Sequence, residues 1–220
     1  MKILDLYCCE GGSAKGYANA GFDVVGVDIA PQPRYPFEFH QADALEFFVK
    51  NWNKFNAWHA SPPCQAHTRA RNLQGNIHVD LIPATRERFA AANARQRLMG
   101  VAETPWIIEN VPGSPLLSPT LLCGSMFGLE TYRHRLFETN WTVAAPLHPE
   151  HVARTTKMGR PPQEGEFMHV VGNFSGVDRG RAVMGMPWAT QYGLAQAIPP
   201  AYTEFLGRQL MRELVLEVAE

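Results

Sequence analysis

A chain of 220 residues with 45% hydrophobic content can bury one sizeable core and is short for two, so a single domain is expected. Its formal net charge of -1 excludes neither nucleic acid nor a small acidic substrate, because binding surfaces are set by local charge and not by the sum. Four cysteines, none in a C-x-x-C pair and two adjacent as Cys8-Cys9, match neither a disulfide framework nor a zinc site of ordinary ligand spacing, which argues for a reducing, cytoplasmic setting and no metal.

The opening "MKILDLYCCEGG" has too short an apolar run for a signal peptide, and no stretch approaches the roughly 20 apolar residues that span a bilayer, so a soluble protein with no membrane partner is expected. Apolar runs of strand length then alternate with helical patterns, the signature of β-α-β units and a parallel sheet. Residues 3–8 read as a buried strand, 13–20 as a helix ended by Gly21, and 23–29 as a second strand. A short strand at 37–41, a helix at 44–52 and a strand at 55–59 follow, then a long helix at 83–99 and a strand at 104–111. From about 140 to 189 the periodicity lapses into Pro, Gly, His and basic residues, with a hairpin suggested around "FMHVVGNF". Regularity returns in a last helix opened by Pro200.

Three stretches carry chemistry. "DLYCCEGGSAKG" (5–16) follows a strand and opens a helix, so its bare backbone either makes a tight turn or approaches a ligand at the helix N-terminus. Asp28, ending the next strand, can accept from a ribose diol, and Asp43 can accept from an adenine amino group or cap the helix beginning at Ala44. Cys9 and Ser13 stand where a dinucleotide fold wants glycine, which favours a nucleoside cofactor without a pyrophosphate. In "ASPPCQAHT" (60–68), Pro62 and Pro63 restrict φ and present the Cys64 thiol in one pose at the carboxyl edge of the sheet. "WIIENVPGSPL" ends an apolar strand in Glu109, whose burial would raise its pKa toward the range of acid catalysis. "YRHRLFE" (132–138) places Arg133 and Arg135 on one face of a strand and His134 on the other, as a packing or surface residue.

Taken in order, "DLYCCEGG", Asp28, Asp43, "SPPCQ", "ENV", "RHR" and "AIPPAY" resemble the DNA (cytosine-5) methyltransferases over nearly the whole chain. The resemblance implies an α/β, Rossmann-like S-adenosylmethionine-dependent methyltransferase fold with a doubly wound, mostly parallel sheet. Residues 1–139 and 190–220 would form the catalytic domain, and 140–189 a small, loop-rich target-recognition insertion. The final helix would return beside the first strand, so that both ends of the chain build the sheet. The implied reaction transfers a methyl group from S-adenosylmethionine, leaving S-adenosylhomocysteine, to C5 of a flipped cytosine in double-stranded DNA. Cys64 would attack C6 and Glu109 would hydrogen-bond N3, while Arg135 and Arg133 hold the base and the catalytic loop. Asp5, Tyr7, Cys8, Gly11, Gly12, Asp28, Ile29, Asp43, Ala44, Pro62 and Gln196 would contact the cofactor. Gln65, Arg69, Arg71, Lys157, Arg160, Arg179 and Arg181 would contact DNA. A monomer in a bacterial or phage-infected cytoplasm fits the resemblance.

Three departures stand out: Cys9 replaces a glycine usual in the first motif, Asp28 stands where glutamate is more common, and "AQ" (195–196) replaces Gly-Asn. Two other readings share the same residues: a tRNA cytosine-5 methyltransferase, and a DNA-binding relic without activity.

Overall fold

The computed structural model describes residues 1–64, 79–157 and 159–219, with side chains described through residue 215. Seven strands form one sheet: β1 (Lys2–Leu6), β2 (Asp23–Asp28), β3 (Glu38–Gln41), β4 (Ala57–Ala60), β5 (Trp106–Asn110), β6 (Thr120–Leu122) and β7 (Arg135–Thr139). Their spatial order is β3-β2-β1-β4-β5-β7-β6. The first five are parallel, whereas β7 runs antiparallel to both β5 and β6. The helices are α1 (Gly12–Asn19), α2 (Ala44–Asn51), α3 (Ile82–Leu98), α4 (Val177–Met184), α5 (Gln191–Gln196) and α6 (Pro200–Ala219).

Period-two alternation within strands buried on both faces divides the core in two. Ile3, Val24, Ala57, Ile107 and Phe137 face one side, where α1 and α6 cover them with Tyr17, Tyr202, Leu206 and Leu210. Leu4, Leu6, Val27, Trp58, Ala60 and Ile108 face the other, against Phe48 of α2 and Phe89 of α3. There, Phe48, Trp58 and Phe89 meet with ring centroids 4.8–5.4 Å apart, and aromatic pairs in this range add about 0.5–1.5 kcal/mol each beyond area burial. The doubly wound α/β architecture expected from the sequence is therefore present.

The last helix covers the face that bears Ile3 of β1, but it adds nothing to the sheet itself. It packs on α1, and all strands of the sheet lie between residues 2 and 139. Small residues allow the contact: a Cβ on Gly16 would fall 2.0 Å from Thr203 Oγ1 and 2.2 Å from the Pro200 carbonyl.

The segment 140–189 contributes no strand, and the hairpin expected around 167–174 is absent among the described residues, which show only an isolated bridge between Thr155 and Phe167. Met168 and Val170 are buried while His169 and Val171 are exposed, so the alternation in the sequence reflects one-sided burial of extended backbone. These residues join Phe174, Met184 and Met186 in a third apolar cluster that continues to Leu194 and Ala197.

Candidate active site

The parallel strands β1, β2, β4 and β5 deliver their following loops to one edge of the sheet, where α/β folds form ligand crevices. Because β7 runs the other way, its first residue, Arg135, arrives at the same edge: Asn110 of β5 pairs with Leu136. A cavity of about 320 Å³ opens there, at the lower end of the range for small-ligand sites. Cys64, Glu109 and Arg135 line it together with Tyr7, Cys8, Gly12, Asp28, Ile29, Pro62 and Gln196, among others.

The loop after β1 is conformationally costly. Tyr7 and Cys9 have φ of 59° and 46°, and Gly11 has φ of 81°. The first two are non-glycine residues in the left-handed region, a strain typical of functional turns. The Asp28 carboxylate supports this loop, accepting from Cys9 N at 3.0 Å and from Ala30 N at 2.9 Å. Each oxygen keeps lone-pair capacity toward the cavity, since a carboxylate accepts about four bonds. Glu10 locks the turn to distant chain: it accepts from Thr190 N at 2.7 Å and Thr190 Oγ1 at 2.6 Å, and its carbonyl accepts from Trp188 Nε1 at 2.8 Å. Gly193 is needed beside it, because a Cβ there would lie 2.1 Å from Glu10 Oε2. The Glu10–Thr190 tie was not anticipated from sequence; its only signal is an acidic side chain inside a glycine turn.

Cys64 is half-buried in the loop after β4. Asn110, buried at the end of β5, donates from Nδ2 to the Pro62 carbonyl at 2.8 Å and so fixes that loop against the strand bearing Glu109. Prolines supply no N–H, so their carbonyls must find donors elsewhere. Burial pushes the Cys64 thiol up from its ordinary value, opposed by the Arg135 charge, so the resting sulfur is protonated near neutrality. Burial also raises Glu109, again against Arg135, whose Nε lies 2.9 Å from Glu109 Oε1. That contact is one of charge, because the N–H is not directed at the oxygen and Oε1 retains no aligned donor.

The remaining candidate residues lie elsewhere. Arg133 precedes β7, is buried, and does not line this cavity; its guanidinium donates to the carbonyls of Ala197 (2.7 Å), Ala195 (2.6 Å) and Val170. It is a clamp between the 140–189 segment and the chain entering α6. Asp5 is fully buried beneath the site, accepting from Ser13 Oγ at 2.8 Å and meeting His59 Nδ1 at 2.8 Å. Asp43 caps α2 through Glu46 N at 2.9 Å, and neither it nor buried Ala44 lines the cavity. Gly11 sits behind the lining, shaping the turn.

Among the residues expected at DNA, Gln65, Arg69 and Arg71 lie outside the described residues. Three of the remaining four hold the 140–189 segment together. Arg160 pairs with Glu166, Arg179 donates to the Gln163 carbonyl at 3.0 Å and the Glu166 carbonyl at 2.6 Å, and Arg181 bonds the Ala189 carbonyl and Asp178, both at 2.8 Å. Lys157 is exposed. On α3, Arg86 is likewise committed, binding both Glu138 oxygens at 2.6 Å.

No protein-family model and no curated protein matches the sequence. Solved structures do match it along its length. A protein described as a DNA modification methyltransferase encoded within an E. coli prophage aligns at 15% identity and a TM-score of 0.60, covering 98% of this chain and 99% of the other. The S. pombe Dnmt2 methyltransferase aligns at 12% and 0.63 over 97% and 99%. The Entamoeba histolytica methyltransferase EhMeth aligns at 14% and 0.60 over 97% and 98%. The fold is that of the Rossmann-like methyltransferases. At these identities the likeness extends to the fold alone.

Proposed function

We propose that this protein transfers a methyl group from S-adenosylmethionine to C5 of a cytosine in double-stranded DNA, with Cys64 as the covalent nucleophile. The observation that carries the reading is the convergence of Cys64, Glu109 and Arg135 on the cavity that Asp28, Gly12 and Ile29 also line. The residues fit the cofactor: Asp28 offers carboxylate lone pairs to a ribose diol, Ile29 is exposed at the rim as an apolar surface for a base, and Gly12 brings bare backbone close. When bound, S-adenosylmethionine supplies an electrophilic methyl group.

The remaining chemistry belongs to the chain. A base must leave the stack to reach this cavity, at a cost of a few kcal/mol, so a preformed pocket and a fixed nucleophile favour the reaction. Cys64 passes its proton to water as its sulfur bonds to C6 of the cytosine, and the C5–C6 π pair shifts toward C5 and the C4–N3 unit. Glu109, raised toward its protonated form, donates to N3 and so stabilises the electron density pushed toward C5. Arg135 lies beside Glu109 and favours the thiolate by its charge. After C5 is methylated, loss of the C5 proton restores the double bond and expels Cys64. The 140–189 segment reads the target, and its modest size implies few specified base pairs.

Fluorine at C5 cannot leave as a proton does. Duplex DNA carrying 5-fluorocytosine is expected to trap the protein as a denaturation-resistant adduct only when S-adenosylmethionine is present, and Cys64→Ala is expected to abolish trapping. Methyl transfer to unmodified DNA with no adduct on the fluorinated duplex would overturn the covalent mechanism. Transfer to tRNA and not to duplex DNA would move the substrate class while leaving the chemistry of Cys64 in place.

A further inference from the structure

Away from the cavity, four metal-ligand side chains converge. Cys123, His134, His148 and His151 bring their ligand atoms within 4.8 Å of one another. Cys123 is buried at the end of β6, His134 immediately precedes β7, and His148 and His151 belong to the 140–189 segment, where both are exposed. Cys123 Sγ lies 3.4 Å from His151 Nε2, and His134 Nε2 lies 3.1 Å from His148 Nε2.

Those spacings suit one ion. With Zn–S near 2.3 Å and Zn–N near 2.0–2.1 Å, a tetrahedron has S–N edges of about 3.6 Å and N–N edges of about 3.3–3.4 Å. Sulfur and imidazole are also the donors zinc prefers, and four protein ligands close the site, as in structural zinc centres. The surroundings hold two ligands in place. Ser125 Oγ lies 3.1 Å from Cys123 Sγ, within reach to donate to a thiolate. Tyr132 stacks on the His151 ring with centroids 3.6 Å apart and planes 16° apart, and its hydroxyl is bonded to Ala153 N and O. The spacing C-x10-H-x13-H-x2-H matches no compact zinc motif, which is why the sequence does not announce it.

We propose that Cys123, His134, His148 and His151 bind one zinc ion that fastens the start of the 140–189 segment to the start of β7. Residues 140–151 contribute neither strand nor helix, so a metal link replaces the backbone ladder that positions the rest of the molecule. Because zinc binds the folded chain, its affinity adds to the stability of that region.

The test uses the full chain and does not involve methyl transfer, so it is separate from the proposed function. Metal-free protein is titrated with cobalt(II) and then with zinc(II). One equivalent of cobalt should give the strong visible bands of a tetrahedral ion and a near-ultraviolet thiolate-to-cobalt band, and zinc should displace it. Cys123→Ser should lose the thiolate band. The double variant His148→Ala with His151→Ala, at exposed positions where folding is not threatened, should weaken zinc binding by more than the roughly 10–100-fold that loss of an outer partner costs. Zinc should raise the melting temperature of the wild type and leave that of the double variant unchanged. Absence of tetrahedral cobalt bands in the wild type, a thiolate band that survives Cys123→Ser, or zinc affinity unchanged in the double variant would each overturn the proposal.

Discussion

The carboxyl edge of the sheet and the 140–189 segment solve the same problem, holding side chains still, by different means. At the edge, Asp28, Cys64 and Glu109 come from distant parts of the chain: Asp28 and Glu109 are placed by the register of hydrogen-bonded strands, and the loop that carries Cys64 is tied to β5 by Asn110. Among the described residues of the 140–189 segment no strand ladder is present, and charged donors take its place: Arg179 and Arg181 donate to main-chain carbonyls within it, Arg133 donates to the Val170 carbonyl from outside, and Arg160 is paired with Glu166. The difference has a functional consequence. The Asp28 carboxylate at the edge keeps lone pairs beyond its two backbone bonds, whereas most of the arginines that make the segment look basic are already engaged.

If the edge is built for chemistry and the segment for cohesion, the two should fail differently. Cys64→Ala should eliminate methyl transfer, and Glu109→Gln should slow it by on the order of 100-fold or more, with melting behaviour near wild type. Single-turnover kinetics and thermal denaturation on the same samples check both. Glu109 also predicts a pH signature. Its folded pKa is raised, so the native state holds a proton that the unfolded state has released. The stability it contributes is full below the ordinary value of 4.5 and is lost as pH rises through the higher, folded value. Denaturant titrations should therefore show wild type losing stability relative to Glu109→Gln over that interval, and parallel curves would mean that Glu109 titrates normally.

Arg133→Met should do the reverse, costing roughly 3 kcal/mol because three buried carbonyls lose a charged donor. Limited proteolysis should then cut within 140–189 first. Unchanged denaturation would show that the clamp is dispensable. Next in size, Asp28→Ala should weaken S-adenosylmethionine binding by roughly 1.5–3 kcal/mol, measured by calorimetry, as expected for hydrogen bonds to a charged acceptor. The smallest effect is expected at Cys9, whose φ of 46° favours glycine. Cys9→Gly should raise stability by about 1 kcal/mol in urea unfolding, a gain that a strain-free turn would not give.

Most elements were legible in the sequence because their local signals agree with their burial. Apart from β2 and β3, which follow each other directly, the parallel strands alternate with helices, and the expected bounds differ by at most one residue from those of α1, β2, α2 and α3. The "FMHVVGNF" stretch misleads because period-two burial arises wherever extended chain lies on an apolar surface, with or without a partner strand. Arg133 and Arg135 share a motif and a charge, but their roles separate according to which carbonyls and carboxylates lie within a few ångströms, and sequence distance carries no information about that.

The sequence by itself determined the alternation of strands and helices, the glycine turn, the rigid Pro-Pro-Cys loop and the acid at the end of β5. These depend on local backbone preference and on residue type. Tertiary structure alone decided that antiparallel β7 returns Arg135 to Glu109, that Glu10 reaches Thr190, that α6 rests on α1, and that Cys123 meets three histidines. Each of those contacts joins residues whose proximity is set by sheet topology and by the packing of helices over it, quantities that no short window of sequence contains.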